Sequence, residues 1–109
     1  MHDTIFFSAC DLINLYKCKK LSPVENLKNT FDVIKKLNPK LNAFISIAEK
    51  KAMKQAKFSE LHYLNNNERK LEGIPIGVKD VIDVQQEKTM NGSKLFEKSV
   101  VKKIIQLFK

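Results

Sequence analysis

The chain is poor in the residues that build disulfide-linked, metal-binding and membrane-spanning proteins. It has two cysteines, Cys10 and Cys18, and two histidines among 109 residues. Two cysteines are too few for a disulfide framework and lack the spacing of a zinc site, so we predict free thiols in a reducing cytoplasm and no metal. No apolar run approaches the roughly 20 residues that cross a bilayer, and the first residues lack a secretory signal. We therefore expect a cytoplasmic protein without a membrane partner.

Arginine is almost absent as well. Arg69 is the one arginine among 20 basic residues, and the formal net charge is +8. Sequence-specific readers of nucleic acid use arginine forks and aromatic platforms, and neither pattern is present. We interpret the charge as lysine on solvated surfaces and expect no nucleic-acid partner, although a weak, salt-sensitive attraction to RNA stays open.

Helical spacing of apolar residues predicts three helices. The first runs from Ser8 to about Lys19, and the third runs from about Ala48 to Leu64, with His62 as a surface residue near its end. The residues expected to face the core in these two helices are Ala9, Leu12, Ile13, Tyr16, Ala52, Met53, Ala56, Phe58 and Leu61.

The second helix has the clearest start signal. Ser22-Pro23-Val24-Glu25 combines a capping box with proline at the first helical position. The helix should end near Leu37, because Pro39 disfavours helical geometry at the residue before it. The residues expected to face inward are Val24, Leu27, Phe31 and Ile34.

Two segments are predicted as β-strands. Residues 42–47 form a short one. The run from Leu71 to Asp80, continuing to Val84, is nearly all apolar and is typical of a strand buried on both faces. Lys79 and Asp80 then lie at the edge where ligand sites gather in α/β sheets. A lysine held among apolar groups can serve as a base at neutral pH, whereas a solvated sheet edge is the alternative.

A last helix is predicted from Ser99, and its apolar face would be left uncovered. The residues on that face are Val101, Ile104, Ile105 and Phe108. Since two strands cannot form a self-sufficient sheet, we expect an incomplete fold that a partner polypeptide could complete.

Four segments carry a resemblance to a known family. They are Leu21-Ser22-Pro23-Val24-Glu25, Leu37-Asn38-Pro39-Lys40-Leu41-Asn42-Ala43-Phe44-Ile45, Gly73-Ile74-Pro75-Ile76-Gly77-Val78-Lys79-Asp80 with Ile82-Asp83-Val84, and Gly92-Ser93. In this order and spacing they resemble the N-terminus of the amidase signature family, and the similarity extends as far as Phe96.

The resemblance implies an α/β fold class. Residues 1–109 would be the truncated N-terminal part of a single α/β/α domain with a mixed sheet, mainly helices plus two or so short strands. Members of the family cleave carboxamide C–N bonds of small-molecule amides with a Ser–cis-Ser–Lys triad that needs no cofactor. Lys79 matches the triad lysine, and by resemblance it is the base that activates the nucleophile through the cis-serine.

The resemblance also places both triad serines in a Gly/Ser-rich segment downstream of the lysine. None of the serines of this chain lies in such a segment; they are Ser8, Ser22, Ser46, Ser59, Ser93 and Ser99. We therefore expect the chain alone to be inactive. The segment around Lys79 looks more like general amidases than like the A subunit of tRNA-dependent amidotransferases, which is the alternative. A further alternative is a non-catalytic binding module that docks through its C-terminal apolar helix.

Overall fold

The computed structural model describes residues 4–98 and residue 100. The chain divides into two compact units, with the boundary between Pro75 and Ile76. The helices of the first unit are α1 (Ala9–Lys17), α2 (Pro23–Leu41) and α3 (Glu49–Leu64), preceded by a 3₁₀ turn at Thr4–Phe6. In the described part of the second unit, the regular element is a 3₁₀ turn at Lys94–Phe96.

Helix α1 begins where its capping residue predicts. The Ser8 Oγ accepts a hydrogen bond from the Asp11 backbone N–H at 3.1 Å, and the Asp11 carboxylate accepts from the Ser8 backbone N–H at 3.2 Å. These two bonds complete a capping box that was not foreseen at this position. The hydrogen bond from the Ser8 hydroxyl also lowers the pKa of Asp11. The predicted helix is confirmed, and Leu12 and Tyr16 are buried on its inner face. Of the other two residues predicted to face the core, Ala9 is exposed and Ile13 is half-buried.

Helix α2 begins at the predicted position, although Ser22 and Glu25 make only one of the two hydrogen bonds of the predicted capping box, and it ends later than predicted. The Ser22 Oγ accepts from the Glu25 backbone N–H at 3.1 Å, and Pro23 occupies the first turn. The expected end near Leu37 is wrong, because the helix continues through Pro39 to Leu41. Proline within the last turn removes a single backbone hydrogen bond, and this cost is small where the helix is about to end.

The end of α2 is fixed by asparagine chemistry. Asn42 adopts the left-handed conformation at φ 50°, which ends the helix. The Asn38 side chain donates to the Phe44 carbonyl at 3.0 Å and accepts from the Phe44 backbone N–H at 2.8 Å. The asparagine beside the proline therefore holds the chain as it leaves the helix.

The core of the first unit consists of two apolar clusters between the helices. One contains Leu12, Tyr16, Leu21 and Tyr63, with the tyrosine rings edge to face at a centroid distance of 5.4 Å. The other contains Leu27, Phe31 and Ala56, flanked by Val24, Ile34, Ala52 and Met53. The inward face predicted for α2 is confirmed.

The face predicted for α3 is only partly right. Ala56, Ser59 and Tyr63 are buried, whereas Phe58 and Leu61 are 54% and 50% exposed. Positions 56, 59 and 63 follow helical spacing, so the buried face includes a serine that a search for apolar residues overlooks.

The predicted α/β fold class is wrong. Within residues 4–98 and residue 100 there is no strand, and the one ladder contact there is an isolated antiparallel bridge between Lys88 and Val100. Residues 42–48 and 74–79 are irregular. A strand buried on both faces needs hydrogen-bonded neighbours and covering layers, and the described residues supply neither. Ile76 and Val78 are accordingly 81% and 47% exposed.

Three further findings concern predicted features. Cys10 and Cys18 are unpaired and exposed. No group of histidine, cysteine, aspartate and glutamate side chains in the described part of the chain could hold a metal ion. None of the helices found there is long and apolar enough to cross a membrane. The helix predicted from Ser99, with its apolar face, lies outside the described residues.

Candidate functional site

Glu72 is the buried centre of a polar cluster in the first unit. Its side chain is 1% exposed, yet it carries a carboxylate that receives several donors. The Ser59 hydroxyl donates to it at 2.5 Å, and the Arg69 guanidinium donates to both of its oxygens at 2.8 and 3.2 Å. The His62 Nδ1 lies 3.1 Å from the second carboxylate oxygen. A buried charge with this many partners is fixed in position.

The same contacts set the protonation state of Glu72. The Arg69 guanidinium holds the pKa of the carboxyl well below its usual range, and Ser59 and His62 act in the same direction. Burial raises the pKa of this carboxyl, but by less than these contacts lower it. Glu72 is therefore a carboxylate throughout the neutral and mildly acidic range.

The backbone of residues 72–73 is hydrogen-bonded directly to α1 and α3, and α2 supports the bond from α1. The Tyr63 hydroxyl on α3 donates to the Glu72 carbonyl at 2.9 Å, and the Tyr16 hydroxyl on α1 donates to the Gly73 carbonyl at 3.3 Å. Asn26 on α2 donates to the Tyr16 oxygen at 2.8 Å. Burial raises the pKa of Tyr16 to about 12, so the hydroxyl keeps its proton for this bond.

Gly73 cannot be replaced by a larger residue at low cost. Its φ is +74°, and an added Cβ would lie 2.8 Å from the Pro23 Cγ. The helix start at Pro23 and the turn at Gly73 therefore pack directly against each other. The start of the Gly-Ile-Pro segment is thus a docking point on the helices, rather than the beginning of a strand.

Lys79 lies in the second unit, in irregular backbone. Its carbonyl accepts from the Ile82 backbone N–H at 3.0 Å, which closes a turn. The side chain is exposed, and no hydrogen bond or ion pair to its ammonium group is found among the described residues. The expected apolar surroundings of this lysine are therefore not supplied by that part of the chain.

Asp80 holds the loop that follows Lys79. Its carboxylate accepts from the backbone N–H groups of Met90 at 2.9 Å and Gly92 at 3.3 Å. Its carbonyl accepts from the Asn91 backbone N–H at 3.0 Å. The Lys-Asp pair combines an exposed amine with a carboxylate each of whose oxygens accepts a backbone N–H. Lys79 is thereby the side chain left available for chemistry at this pair.

The serines of the described residues mostly have structural partners. The hydroxyls of Ser8, Ser22 and Ser93 cap α1, α2 and the second 3₁₀ turn, respectively. The Ser59 hydroxyl binds Glu72. The structure does not bring a serine pair of the expected Gly/Ser-rich type to Lys79 within this part of the chain.

The family model named Amidase matches residues 25–104. This range covers most of the chain and includes Glu72, Lys79 and Asp80. The chain belongs to the amidase family. The predicted recognition is confirmed, because the resemblance rested on segments that lie almost entirely within the matched range.

Several curated relatives of the chain carry the name of the glutamyl-tRNA(Gln) amidotransferase A subunit. The chain is 40% identical over 79 residues to the one from Coxiella burnetii strain Dugway 5J108-111, covering 72% of this chain and 16% of that protein. It is 34% identical over 91 residues to the one from Staphylococcus saprophyticus, covering 83% of this chain and 19% of that protein. The chain thus spans less than a fifth of the length of these relatives. No solved structure gives a significant match.

Lys79 was singled out from the sequence by its motif, and its role stays a prediction, whereas the Glu72 cluster was missed. His62 was taken for a surface residue, and its side chain is 38% exposed, but it also contacts Glu72. One signal could have revealed the cluster. Glu72 is a lone carboxylate inside an apolar run, and a charge in that setting is expected to be paired.

Proposed function

We propose that this chain carries the catalytic-lysine segment of an amidase-family enzyme that hydrolyses carboxamide C–N bonds, with Lys79 as the triad lysine. The supporting observation is the segment from Gly73 to Asp80, which resembles the lysine segment of the family and lies within the matched residues 25–104. In this role Lys79 acts as the base that activates the nucleophile through the cis-serine. The substrate is a small-molecule amide.

We also propose that the 109-residue chain does not hydrolyse amides by itself. Ser8, Ser22, Ser59 and Ser93 are engaged in caps or in the Glu72 cluster. The chain contains no Gly/Ser-rich segment that could supply the nucleophile and the backbone donors of an oxyanion hole. A lysine without these groups cannot complete an acyl transfer.

For the subtype, we favour the A subunit of a tRNA-dependent amidotransferase over a general amidase. This reverses the preference drawn from the segment around Lys79. The reason is that the relatives of Coxiella and Staphylococcus both carry the name of the glutamyl-tRNA(Gln) amidotransferase A subunit. Under this proposal, the partner is the remainder of a multisubunit enzyme.

A chimera tests both the lysine and the subtype. Residues 25–104 replace the matched segment of the Coxiella amidotransferase polypeptide, and the assembled enzyme is assayed for amide hydrolysis and for amidation of Glu-tRNA(Gln). We expect the chimera to be active and Lys79→Ala to lose activity by about 10³-fold or more. Lys94→Ala, another exposed lysine of the second unit, is the matched control and should retain activity.

Four outcomes would overturn parts of the proposal. A folded chimera that is inactive in both assays, or a Lys79→Ala chimera as active as the control, would remove Lys79 from the catalytic role. Hydrolysis without amidation of Glu-tRNA(Gln) would restore the general amidase. Amide hydrolysis by the 109-residue chain, lost in Lys79→Ala, would refute the inactivity of the chain alone.

A further inference from the structure

A groove lies along the first half of α3 and its preceding loop. It has a volume of about 960 Å³ and is lined by residues 47–51, 53, 54 and 57. Three of the lining residues, Ile47, Ala48 and Met53, are apolar, and most of the others are lysines. We call this surface the α3 groove. None of its residues belongs to the Glu72 cluster or to the Lys79 loop.

The lysines of the α3 groove are arranged along one side of the helix. Lys50, Lys54 and Lys57 are spaced by four and three residues, which places them on one face of α3. All three are exposed, and within the described residues none of their ammonium groups pairs with a carboxylate. Their positive charge is therefore available to a partner.

The acidic residue of the groove does not cancel that charge. The Glu49 carboxylate accepts a hydrogen bond from the Lys35 ammonium of α2 at 2.8 Å. This pair neutralises Glu49 locally and links α2 to the start of α3. Lys50, Lys54 and Lys57 therefore give the groove a net positive potential.

The loop before α3 adds apolar surface beside the lysines. Phe44, Ile45 and Ile47 are 41%, 63% and 39% exposed. The aliphatic stems of the lysines also line the groove, because long basic side chains lay their methylenes along apolar surface. An apolar strip bordered by ammonium groups is typical of a protein interface with a charged rim.

We propose that the α3 groove binds an acidic amphipathic segment of another polypeptide. Charge complementarity selects this occupant: carboxylates of the segment meet Lys50, Lys54 and Lys57, and its apolar face covers Ile47 and Met53. A second copy of this chain does not fit, because its net charge is also +8. Phosphate groups of a nucleic acid would use the lysines but leave the apolar strip uncovered. The proposal does not rest on the role of Lys79.

The test follows methionine methyl groups by NMR in the full 109-residue chain. Met53 lies in the α3 groove, whereas Met90 lies in the second unit and reports effects elsewhere. The probe is a synthetic helical peptide of about 14 residues, with leucine at helical spacing on one face and glutamate on the other. We expect a saturable shift of the Met53 signal with a dissociation constant on the order of 100 μM, and no shift of Met90.

Two charge-reversal variants with equal net charge separate a specific site from general attraction. Lys54→Glu/Lys57→Glu changes the groove, and Lys94→Glu/Lys98→Glu makes the same change in the second unit. We expect the first to weaken binding by about tenfold or more and the second to leave it within about twofold. Circular dichroism confirms that α3 is retained in both.

Several results would overturn the proposal. The first is the absence of a Met53 shift up to about 1 mM peptide. The second is an equal loss of peptide affinity in the two double variants. The third is equal binding of a scrambled peptide of the same composition. If tRNA or anionic phosphatidylserine vesicles shift Met53 and the peptide does not, the groove serves nucleic acid or a membrane surface instead.

Discussion

The two units of this chain are each organised by one carboxylate, but the donors differ in kind. Glu72 in the first unit receives side-chain donors from Ser59 and Arg69, with the His62 Nδ1 nearby at 3.1 Å and a single long backbone bond from the Arg69 N–H at 3.4 Å. Asp80 in the second unit receives backbone N–H groups from residues 90 and 92. Side-chain donors depend on particular residues, whereas backbone donors depend only on the course of the loop. The first unit should therefore be the more sensitive to substitution, and the second should respond mainly at Asp80 itself.

Gly73 is the position in the first unit where we expect a substitution to lower the stability most. In Gly73→Ala the added methyl group meets Pro23 at under 3.0 Å, and the residue must keep a φ of +74°. We expect a loss of about 2–4 kcal/mol in the free energy of unfolding. Urea unfolding followed by circular dichroism measures it. Gly92→Ala is the matched control, since it also has a positive φ, of +71°, but nothing lies within 4 Å of the added methyl. An equal loss in both variants would show that the contact with Pro23 does not matter.

A smaller loss is expected at the carboxylate of the first unit. Glu72→Gln keeps the shape of the side chain but removes the charge that faces Arg69. It also replaces one of the two acceptor oxygens with an NH₂ group, which is a donor. We expect the free energy of unfolding to fall by about 1–3 kcal/mol. Glu68→Gln is the control, because its contact with Lys17 is long, at 3.8 Å, and partly exposed. That substitution should cost less than about 1 kcal/mol. If both substitutions cost the same, Glu72 is not the centre of the unit.

The effect of pH follows from the same carboxylate. The folded-state pKa of Glu72 is depressed by Arg69 below its ordinary value of 4.5. The stability that it contributes is therefore fully present above about pH 5 and is lost as the pH falls below 4.5 toward the folded-state pKa. The difference in unfolding free energy between the native chain and Glu72→Gln should shrink between about pH 7 and pH 3. A constant difference over this range would contradict the depressed pKa.

The smallest effect is expected in the second unit. Asp80→Asn keeps one acceptor oxygen but turns an amide NH₂ toward a backbone donor, so one of the two bonds is lost. We expect a cost of about 0.5–1.5 kcal/mol and faster hydrogen exchange at the amides of Met90 and Gly92. Asp83→Asn, on an exposed side chain in the same unit, should leave both exchange rates unchanged. Unchanged exchange in Asp80→Asn would show that backbone donors do not depend on this carboxylate.

The helices could be predicted from the sequence because their signals are local. Ser8 and Ser22 mark the starts of α1 and α2, and the apolar spacing of α2 identifies its buried face. The end of α2 could not be placed, because the hydrogen bonds between Asn38 and Phe44 that hold the exit of the chain depend on the geometry of the turn. Pro39 alone suggested an end that was too early.

The rest of the fold depended on partners distant in sequence. The apolar run from Leu71 to Val84 has a strand composition, but a strand requires a hydrogen-bonded neighbour, which the described residues do not provide. Glu72 was overlooked for a related reason. Its partners Ser59 and His62 lie on α3, 10 to 13 residues earlier in the chain, and only the packing of the turn against that helix brings them together. Lys79 could be proposed from the sequence because a motif, rather than packing, points to it, and its role stays a prediction.

The most direct test of the account replaces the amine of Lys79 chemically. In the chimera of residues 25–104 with the Coxiella amidotransferase polypeptide, Lys79→Cys is prepared and then treated with 2-bromoethylamine, which restores a primary amine at nearly the length of lysine. Cys10 and Cys18 lie outside the transferred segment, so this chain contributes a single reactive thiol, and a chimera without the new cysteine controls for thiols of the host.

We predict that the Lys79→Cys chimera is inactive, that aminoethylation restores a substantial part of amide hydrolysis, and that iodoacetamide treatment does not. Full activity of the Lys79→Cys chimera, or no recovery in a folded and aminoethylated protein, would contradict the assignment of Lys79 as the catalytic base.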